Sequence, residues 1–481
     1  MIETIFNYIN GDFVSPRSNE YLDVFEPATG CLYARVPNSN NEDVEDAIEA
    51  ARNAFPIWSN LSVKKRSDYL SDIALDLISD QDRLAIWESR DSGKPITLAR
   101  TLDIPRAIEN FTFFIDFIKS FKLDYFITSD ESNNHIQRLP LGIVACISPW
   151  NLPLYLFTWK IIPALIVGNT VIAKPSEITP YSAFKLAQIC KKNNLPPGVL
   201  NILNGNGESV GDPLVSHPKI KAVSFTGGTS TGKKIAQNTA ISFKKTSLEM
   251  GGKNPAIIFA DCNYEEMLNS LVKSSFTNQG QICLCSSRII VEKKVYEKFK
   301  IDFVKKVSKI IIGDPIKPET QFGAISSKEH FDKINYYVDL IKEEKGSILF
   351  GGKILEINQR CKNGWFLEPT IVEGLGPESR INKEEIFGPI VTLQPFETVQ
   401  EAINIANQSD YGLSATIWTG DSVRGGEISN KINAGVIWIN CWMLRDLRTP
   451  FGGMKQSGLG REGGLDVLHF FTEQKNICKP V

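Results

Sequence analysis

"GIVACISPW" at 142–150 is followed by the apolar segment "PLYLFTWKIIPALIVG" at 153–168 and then by "NTVIAKPS" at 169–176. Short β-branched runs on either side of a helix-length apolar segment predict strand, helix, strand. The alternation continues in "PYSAFKLAQICKKN" (180–193), "GVLNILNG" (198–205), "IKAVSFTGG" (220–228) and "TSTGKKIAQNTA" (229–240). Strands that alternate with helices predict an α/β fold around a parallel sheet.

The flanking sequence extends this pattern in both directions. Two hairpins are predicted near the N-terminus, in "YINGDFVS" at 8–15 and "DVFEPATGCLYARV" at 23–36. A second α/β series is predicted in "NPAIIFAD" (254–261), a helix over 264–278, "SRIIVEK" (287–293), "VTLQPFET" (391–398), "AINIANQS" (402–409) and "SATIWTG" (414–420). The tail "DVLHFFTEQKNICKPV" at 466–481 reads as a strand that pairs with another subunit.

Bulk composition excludes several classes of protein. A chain of 481 residues is long enough for two or more lobes, and its net charge of -2 gives no basic field for nucleic acid. The nine cysteines are an odd number without framework spacing, which favours reduced thiols and a cytoplasmic location. The apolar run at 153–168 contains Lys160 and is shorter than the roughly 20 residues that span a bilayer, so no membrane segment is predicted. The four histidines are dispersed, and no metal site is predicted.

Two glycine- or charge-bearing turns follow predicted strands. "FTGGTSTGKK" at 225–234 opens a helix, where backbone N–H groups favour a phosphate. This segment does not fully match the phosphate-binding loop of nucleoside triphosphatases, because Lys234 stands where that motif has a magnesium-binding Ser or Thr. An ATPase is therefore disfavoured. The alternative interpretation is a strand-to-helix turn without a ligand. "IAKPSE" at 172–177 puts Lys174 and Glu177 where an open α/β sheet binds ribose hydroxyls, although such a pair alone is more often a solvated loop.

Two further stretches contain reactive groups. "SLEMGGKNP" at 247–255 sets Glu249 before two glycines, where burial could tune its carboxylate toward general-base work or where it is simply a turn residue. "SSFTNQGQICLCSSRIIV" at 274–291 holds Cys283 and Cys285, which are too close together for a zinc knuckle. One thiol as a nucleophile is the functional reading, and two small buried residues is the structural one.

Taken together, these motifs resemble the NAD(P)-dependent aldehyde dehydrogenase superfamily over nearly the whole chain. The motifs that occur in that family's order are "PWN" (149–151), "KPSE" (174–177), "FTGG" (225–228), "LEMGGK" (248–253), "GQICL" (280–284), "EEIFGP" (384–389) and "PFGGMKQSGLGREGG" (450–464). The resemblance implies an enzyme with a Rossmann-like cofactor domain, an α/β catalytic domain and a small β oligomerisation element. It implies that Cys283 is the nucleophile, that Glu249 activates water, and that Asn151 and the Cys283 N–H hold the oxyanion.

The resemblance also implies NAD as the cofactor and a set of residues that bind it. These are Ser148, Pro149, Trp150, Lys174, Ser176, Glu177, Gly207, Gly211, Phe225, Thr226, Gly227, Gly228, Thr229, Gly232, Glu249, Met250, Gly251, Glu385 and Phe387. Gly228 departs from the serine that many members have, so a side-chain phosphate contact is expected to be missing. Glu177 near the ribose predicts NAD over NADP.

The substrate is suggested by "ARTLDIPRAIENF" at 99–111 and "NCWMLRDLRTPFGG" at 440–453. These resemble the branch that oxidises 2-aminomuconate 6-semialdehyde in tryptophan breakdown (the kynurenine pathway), and its relatives acting on 2-hydroxymuconate semialdehyde from catechol cleavage. In that branch Arg106 and Arg445 match carboxylate-binding arginines, which act with Asn151 on the substrate. Arg448 is the weaker partner. Interdomain salt bridges are the other reading of these arginines, and retinal or a simple aliphatic aldehyde is the alternative substrate.

The predicted domains are an NAD-binding domain over 1–121 and 140–249, a catalytic domain over 250–463, and an oligomerisation element over 122–139 and 464–481. A homo-oligomer, dimer or tetramer, is expected, acting on a small-molecule semialdehyde. Two rivals stay open. A non-catalytic binding member of the fold would be expected to lose the nucleophile, base or oxyanion amide, and an acyl-CoA-forming relative would be expected to lose Glu249.

Overall fold

The computed structural model describes residues 2–481. In the first third of the chain the helices and strands are β1 (Glu3–Thr4), β2 (Asn7–Ile9), β3 (Asp12–Val14), β4 (Tyr21–Glu26), β5 (Cys31–Pro37), α1 (Asn41–Ser59), α2 (Val63–Ser79), α3 (Gln81–Ser92), α4 (Ile96–Leu98), α5 (Ile104–Phe117), β6 (Asp124–Thr128), β7 (Ser132–Pro140), β8 (Ile143–Ile147) and α6 (Pro153–Ile166). A π-helical turn, Ala99–Asp103, joins α4 to α5. Both predicted hairpins form, as β2 with β3 and β4 with β5.

The middle of the chain supplies most of the parallel strands. Its elements are β9 (Thr170–Lys174), α7 (Tyr181–Lys192), β10 (Leu200–Ile202), α8 (Asp212–Ser216), β11 (Ile220–Thr226), α9 (Thr229–Ala240), β12 (Lys245–Glu249), β13 (Asn254–Ile258), α10 (Tyr264–Phe276), β14 (Ser286–Glu292), α11 (Lys293–Val307) and α12 (Lys328–Glu343). All of β8, β9 and β13 is buried, as expected of strands covered by helices on both faces.

The last part of the chain completes the second sheet and ends in an antiparallel strand. Its elements are β15 (Ser347–Phe350), β16 (Thr370–Glu373), α13 (Arg380–Lys383), β17 (Ile390–Phe396), α14 (Val399–Asn407), β18 (Tyr411–Gly412), β19 (Ser414–Trp418), α15 (Ser422–Ser429), β20 (Val436–Ile439), β21 (Met454–Lys455), β22 (Gly458–Leu459), α16 (Gly464–Phe470) and β23 (Thr472–Pro480).

Two large sheets organise the molecule. The first has eight strands in the order β22-β12-β11-β8-β9-β10-β2-β3, with β12, β11, β8, β9 and β10 parallel. The second has seven strands in the order β15-β16-β17-β14-β13-β19-β20, parallel except for β15. The α/β prediction is therefore confirmed. Strand β22, from the predicted catalytic range, joins the first sheet beside Glu249.

A third sheet has the order β23-β7-β6 and is antiparallel throughout. It contains most of the residues predicted to serve oligomerisation, except 464–470, which form α16. The prediction of one strand over 466–481 is wrong for residues 466–470, because α16 continues to Phe470 and β23 begins at Thr472. Val467, Leu468 and Phe471 are buried at helical spacing, so packing of this short helix overrides the local strand preference.

Helix α6 packs on the first sheet, inside the hydrophobic core. Thirteen of its fourteen residues are buried, Pro153 begins it, and no polar face interrupts it. The prediction of a buried helix is confirmed. No helix in the described part of the chain combines the length and the apolar character needed to cross a membrane.

Candidate active site

Cys283 follows a tight turn at the end of α10. Asn278, Gln279 and Gly280 take left-handed backbone angles with φ of 52°, 58° and 71°. Such a run is costly for the two residues with side chains, and strain of this kind concentrates at functional sites. A Cβ on Gly280 would lie 2.4 Å from the Gly388 carbonyl oxygen, so this position requires glycine. The turn lifts Cys283 out of the helix axis and into the space between the two sheets.

Side chains from other elements fix the three carbonyls after the turn. The Asn254 amide donates to the carbonyls of Cys283 (2.7 Å) and Cys285 (2.9 Å). The Trp442 indole donates to the Leu284 carbonyl at 3.0 Å. Cys283 is half-buried and Cys285 is buried with its thiol toward the Thr277 carbonyl. The two thiols therefore lie in different surroundings, and only Cys283 lines the cavity described below.

Asn151 lies beside this loop, just before α6. Its side-chain amide donates to the Gln281 carbonyl at 2.9 Å, and its own carbonyl accepts from the Asn278 amide at 3.0 Å. Asn151 is 3% exposed yet lines the cavity with Cys283. An amide N–H held this close to a nucleophile could stabilise a developing oxyanion.

Glu249 ends β12 and is buried, and neither carboxylate oxygen has a hydrogen-bond partner within the described residues. Burial raises the pKa of Glu249 well above its usual range, and the nearby Glu462 carboxylate adds to the effect. Glu462 is itself paired with the buried Lys160 ammonium at 2.6 Å. A Cβ on Gly452 would lie 2.7 Å from Glu249 Oε1, so glycine there leaves room for the carboxylate.

The electrostatics around Cys283 hold it as a thiol. Burial raises the pKa of Cys283 to about 12, and the Glu385 and Glu249 carboxylates contribute in the same direction. Arg445 acts in the opposite sense. Glu385 lies beside Gly251 and Gly252, and the Gly252 N–H donates to its carboxylate at 2.9 Å. Loss or neutralisation of these carboxylates would favour the thiolate.

A cavity of about 220 Å³ joins the ends of the two sheets. It brings together nine of the predicted cofactor residues with Cys283 and Asn151: Pro149, Trp150, Thr226, Gly227, Gly228, Met250, Gly251, Glu385 and Phe387. The other predicted cofactor residues lie outside this lining. Ser148, Lys174, Ser176, Glu177, Phe225, Thr229 and Gly232 follow or flank the same strand ends, Gly207 and Gly211 bound a π-helical turn after β10, and Glu249 ends β12.

The backbone around α9 fits a dinucleotide. Gly228 is the N-cap of α9 and no side chain caps this helix, so its first-turn N–H groups remain available to a pyrophosphate. A Cβ on Gly232 would lie 2.4 Å from Met250 Sδ, which explains glycine inside the helix. Nothing lies within 4 Å of a Cβ on Gly228, so a serine would have fitted there. Lys174 Nζ and Glu177 Oε2 are 3.1 Å apart at the end of β9.

Two arginines converge on Tyr155 of α6. The Arg445 guanidinium donates to the Tyr155 hydroxyl at 2.9 Å, and the Arg106 guanidinium lies 5.7 Å from the centre of the Tyr155 ring. Arg106 is half-buried and pairs at 2.6 Å with Glu109, an exposed carboxylate. Tyr155 packs in one apolar cluster with residues 282–285. Arg448 instead pairs with Asp446 on the surface.

Comparison with known proteins decides the family. Residues 13–477 match the sequence model of the aldehyde dehydrogenase family. This chain belongs to the aldehyde dehydrogenase family. It is 46% identical to 2-aminomuconic semialdehyde dehydrogenase of Bos taurus, across 98% of this chain and 97% of the relative. It is 39% identical to 2-hydroxymuconic semialdehyde dehydrogenase of Pseudomonas sp. (strain CF600), across 99% of both chains.

A solved structure shows the same fold. The NAD+ complex of an aldehyde dehydrogenase from Bacillus cereus superposes with a TM-score of 0.96 at 35% identity, covering 100% of this chain and 97% of that one. The predicted fold, enzyme class and likeness to the muconic semialdehyde dehydrogenases are therefore confirmed. This aldehyde dehydrogenase is an oxidoreductase that acts on small-molecule aldehydes.

Sequence reasoning missed three residues that line the cavity of this aldehyde dehydrogenase: Leu156, His330 and Lys333. His330 and Lys333 lie one turn apart on α12 and line the cavity. His330 Nε2 is 2.7 Å from the Phe387 carbonyl oxygen, its ring is 4.9 Å from that of Trp150, and burial lowers its pKa to about 4. The only sequence signal of His330 and Lys333 was a pair of basic residues at helical spacing, which most surface helices also show.

Proposed function

We propose that this enzyme oxidises a carboxylate-bearing semialdehyde, 2-aminomuconate 6-semialdehyde, to 2-aminomuconate with NAD. The observation that supports this substrate best is the convergence of Arg106 and Arg445 on Tyr155, in the cluster that also holds the Cys283 loop. A substrate with an aldehyde at one end and a carboxylate at the other needs a cation at a distance from the nucleophile. Guanidinium groups bind carboxylates through paired N–H donors. The names of the relatives point the same way.

In this proposal Arg106 exchanges its partner when substrate binds. The Glu109 side chain is exposed, so its carboxylate can move into solvent while the substrate carboxylate binds Arg106 in its place. Arg445 keeps the Tyr155 hydroxyl as a fixed neighbour. An uncharged aldehyde offers nothing in exchange for Glu109, and this asymmetry is the basis of the predicted selectivity.

The chemical steps follow from three side chains. The Cys283 thiolate attacks the aldehyde carbon, and the Asn151 amide with the Cys283 N–H stabilises the oxyanion of the resulting thiohemiacetal. NAD bound at the strand ends would supply the acceptor for the hydride that this carbon must lose. Cys283 then holds the acyl group as a thioester, and Glu249 takes a proton from the water that hydrolyses it. Burial raises the pKa of Glu249, so Glu249 must first release its own proton and acts as the base in its ionised form.

NAD is proposed rather than NADP. Glu177 would accept a hydrogen bond from the ribose 2′-hydroxyl and repel a 2′-phosphate, while Lys174 holds it in place at 3.1 Å. The roles of the remaining cofactor residues, the division into the three predicted domains and the cytoplasmic location stay predictions.

The test is a substrate panel with arginine variants. NAD reduction is measured with 2-aminomuconate semialdehyde generated enzymatically, 2-hydroxymuconate semialdehyde, retinal and hexanal. Arg106→Ala should lower kcat/KM for the muconate semialdehydes roughly 30- to 150-fold with little effect on hexanal, because a charged hydrogen bond is worth about 2 to 3 kcal/mol. Arg445→Ala should cause a loss of similar size on the muconate semialdehydes and a smaller loss on hexanal, because Arg445 also opposes the raised pKa of Cys283.

Arg448→Ala is the matched control, since Arg448 already pairs with Asp446 and should be silent. Higher kcat/KM with the uncharged aldehydes, or equal losses on all four substrates, contradicts the carboxylate assignment. Preference for the 2-hydroxy compound over the 2-amino compound would select the second candidate substrate, the one in the name of the relative from Pseudomonas sp. (strain CF600).

A further inference from the structure

Lys94 is a buried cation behind the oxyanion amide. Its side chain is completely shielded from solvent, and its ammonium donates to the Asn151 carbonyl at 2.9 Å. The same ammonium pairs with the Asp103 carboxylate, which is equally buried. A cation in such a place is retained only when partners compensate its charge. Here one of those partners is the peptide of the residue proposed to hold the oxyanion.

Asp103 connects this pair to the substrate-binding arginine. It is the last residue of the π-helical turn 99–103, and α5 starts at the next residue and contains Arg106. π-Helical turns are rare and are often found at functional sites. Burial raises the pKa of Asp103, and the Lys94 ammonium offsets the effect. Lys94 therefore contacts two groups at the same time: the Asn151 peptide, and Asp103 in the segment that leads to Arg106.

A second carboxylate closes the cluster from the helix side. Glu88 of α3 is buried, and its Oε1 accepts from the Leu154 N–H at 3.2 Å at the start of α6. The Asn151 carbonyl therefore accepts from both Lys94 and Asn278, its side chain donates to the Gln281 carbonyl, and Glu88 holds the first turn of the helix that follows.

We propose that Lys94 is a positioning residue that fixes the Asn151 peptide and, through Asp103, aligns it with the start of the helix that contains Arg106. This inference rests on the oxyanion role proposed for Asn151. Its physical basis is that a hydrogen bond from a buried charge is strong and geometrically restrictive. By fixing the Asn151 backbone, this bond holds the Asn151 side-chain amide in place before the substrate binds.

The experiment is a double-mutant cycle on the full-length enzyme with NAD and hexanal. The rate constant of the NADH burst is measured, because the burst amplitude counts competent sites separately. Asn151→Ala should lower this rate constant by roughly 10²-fold. Lys94→Met should lower it about 10-fold in the wild-type background and less than about 2-fold in the Asn151→Ala background, because a residue that acts through Asn151 has nothing left to position.

Three further variants keep the test decisive. Lys94→Met/Asp103→Leu removes both charges and protects against misfolding from an unpaired carboxylate, and it should show the same non-additivity. Asp103→Asn should lower the burst rate constant less than Lys94→Met. Arg66→Met removes another buried cation, which donates to the Ile166 carbonyl at 2.9 Å, and should lower Tm without changing the burst rate constant.

The outcomes separate this inference from the proposed substrate. Hexanal has no carboxylate, so failure of the arginine clamp leaves the cycle unchanged. Equal losses from Lys94→Met in both backgrounds, or no loss in either, overturn the positioning role. A wild-type burst rate constant in Asn151→Ala overturns the roles of both Asn151 and Lys94.

Discussion

At the scale of single residues, Cys283 faces surroundings that oppose its own ionisation. Burial and two carboxylates raise the pKa of its thiol to about 12, whereas catalysis needs the thiolate. Arg445 is the cation that acts against this shift. A resting thiol is protected from oxidation, and the bound cofactor and substrate must change the local field before attack. Reactivity here belongs to the assembled complex rather than to the free cysteine.

The two neighbouring cysteines make a matched pair of variants. Cys283→Ala should abolish NAD reduction, whereas Cys285→Ala should keep most of it, because Cys283 alone of the two lines the cavity with Asn151. Steady-state assays and iodoacetamide labelling, with and without NAD, provide the measurement. Similar losses of activity in both variants would contradict the assignment of the nucleophile.

Glu249 should separate the two halves of the reaction. Glu249→Gln should still produce a burst of NADH and then stall at the thioester, because only hydrolysis requires a base. Rapid-mixing absorbance at the NADH band measures both phases. A variant that loses the burst but hydrolyses the thioester normally would overturn this division.

The same substitution should change how stability depends on pH. The folded-state pKa of Glu249 is raised, so the folded protein binds this proton more tightly than the unfolded chain does. The stability it contributes is full below the unfolded pKa and is lost as pH rises through the folded pKa. Thermal unfolding should therefore show Glu249→Gln gaining Tm over wild type as pH rises above the ordinary carboxyl range. A Tm difference that does not grow with pH would show that Glu249 is not held protonated by the fold.

Cofactor choice should depend on Glu177. Glu177→Ser should raise the ratio of kcat/KM for NADP to that for NAD by roughly 10-fold or more, because it removes a negative charge near the proposed 2′ position and leaves Lys174 unpaired to meet a phosphate. Asp212→Ser, which removes the carboxylate that pairs with Lys234 at 2.5 Å on α9, is the surface control. An unchanged ratio in Glu177→Ser would place the ribose elsewhere.

At the scale of elements, the active site is built where regular structure stops. Helix α10 ends at Phe276, and the left-handed turn that follows delivers Cys283 to the cavity. Phe387 is also left-handed, with φ of 60°, and the contact of its carbonyl with His330 compensates part of the cost. Neither conformation persists without the surrounding packing.

Gly280→Ala tests the strained turn. A Cβ there meets the Gly388 carbonyl in a backbone conformation that disfavours alanine, so unfolding free energy should fall by about 1 to 3 kcal/mol and kcat should fall with it. Gly426→Ala in α15 is the matched control. Its Cβ meets nothing within 4 Å, and it should change stability by less than about 1 kcal/mol, in the stabilising direction. Urea unfolding compares the two, and equal effects would mean that the turn is not strained.

At the scale of the whole molecule, the three-stranded sheet β23-β7-β6 is separate from the two large sheets. Its outer strands β6 and β23 have no further strand partner in the described chain, and Phe126 and Ile127 on β6 are 70% and 54% exposed. Unpaired edges with exposed apolar side chains are typical of surfaces that pair with another copy. This supports the proposal that residues 122–139 and 464–481 serve assembly.

The assembly prediction is tested by sedimentation. The wild-type enzyme should sediment as a dimer or tetramer, and Phe126→Lys/Ile127→Lys should shift it toward monomer with little change in far-UV circular dichroism, because both side chains are already exposed within one chain. Leu75→Lys, at a 64% exposed position on α2, is the control. A monomeric wild type at micromolar concentration, or equal effects of both variants, contradicts it.

The sequence by itself determined the features that local pattern encodes. Alternating β-branched runs and helical segments predicted the parallel sheets, the order of the motifs indicated the family, and the position of Cys283 in "GQICL" matched that family's nucleophile. Tertiary structure decided what depends on residues far apart in the chain. Arg106 and Arg445 meet only because α5 and the segment after β20 both pack on Tyr155, and His330 enters the cavity only through the placement of α12. The tail was misread for the same reason: α16 is helical because its buried face packs on the core, a contact that no local window contains.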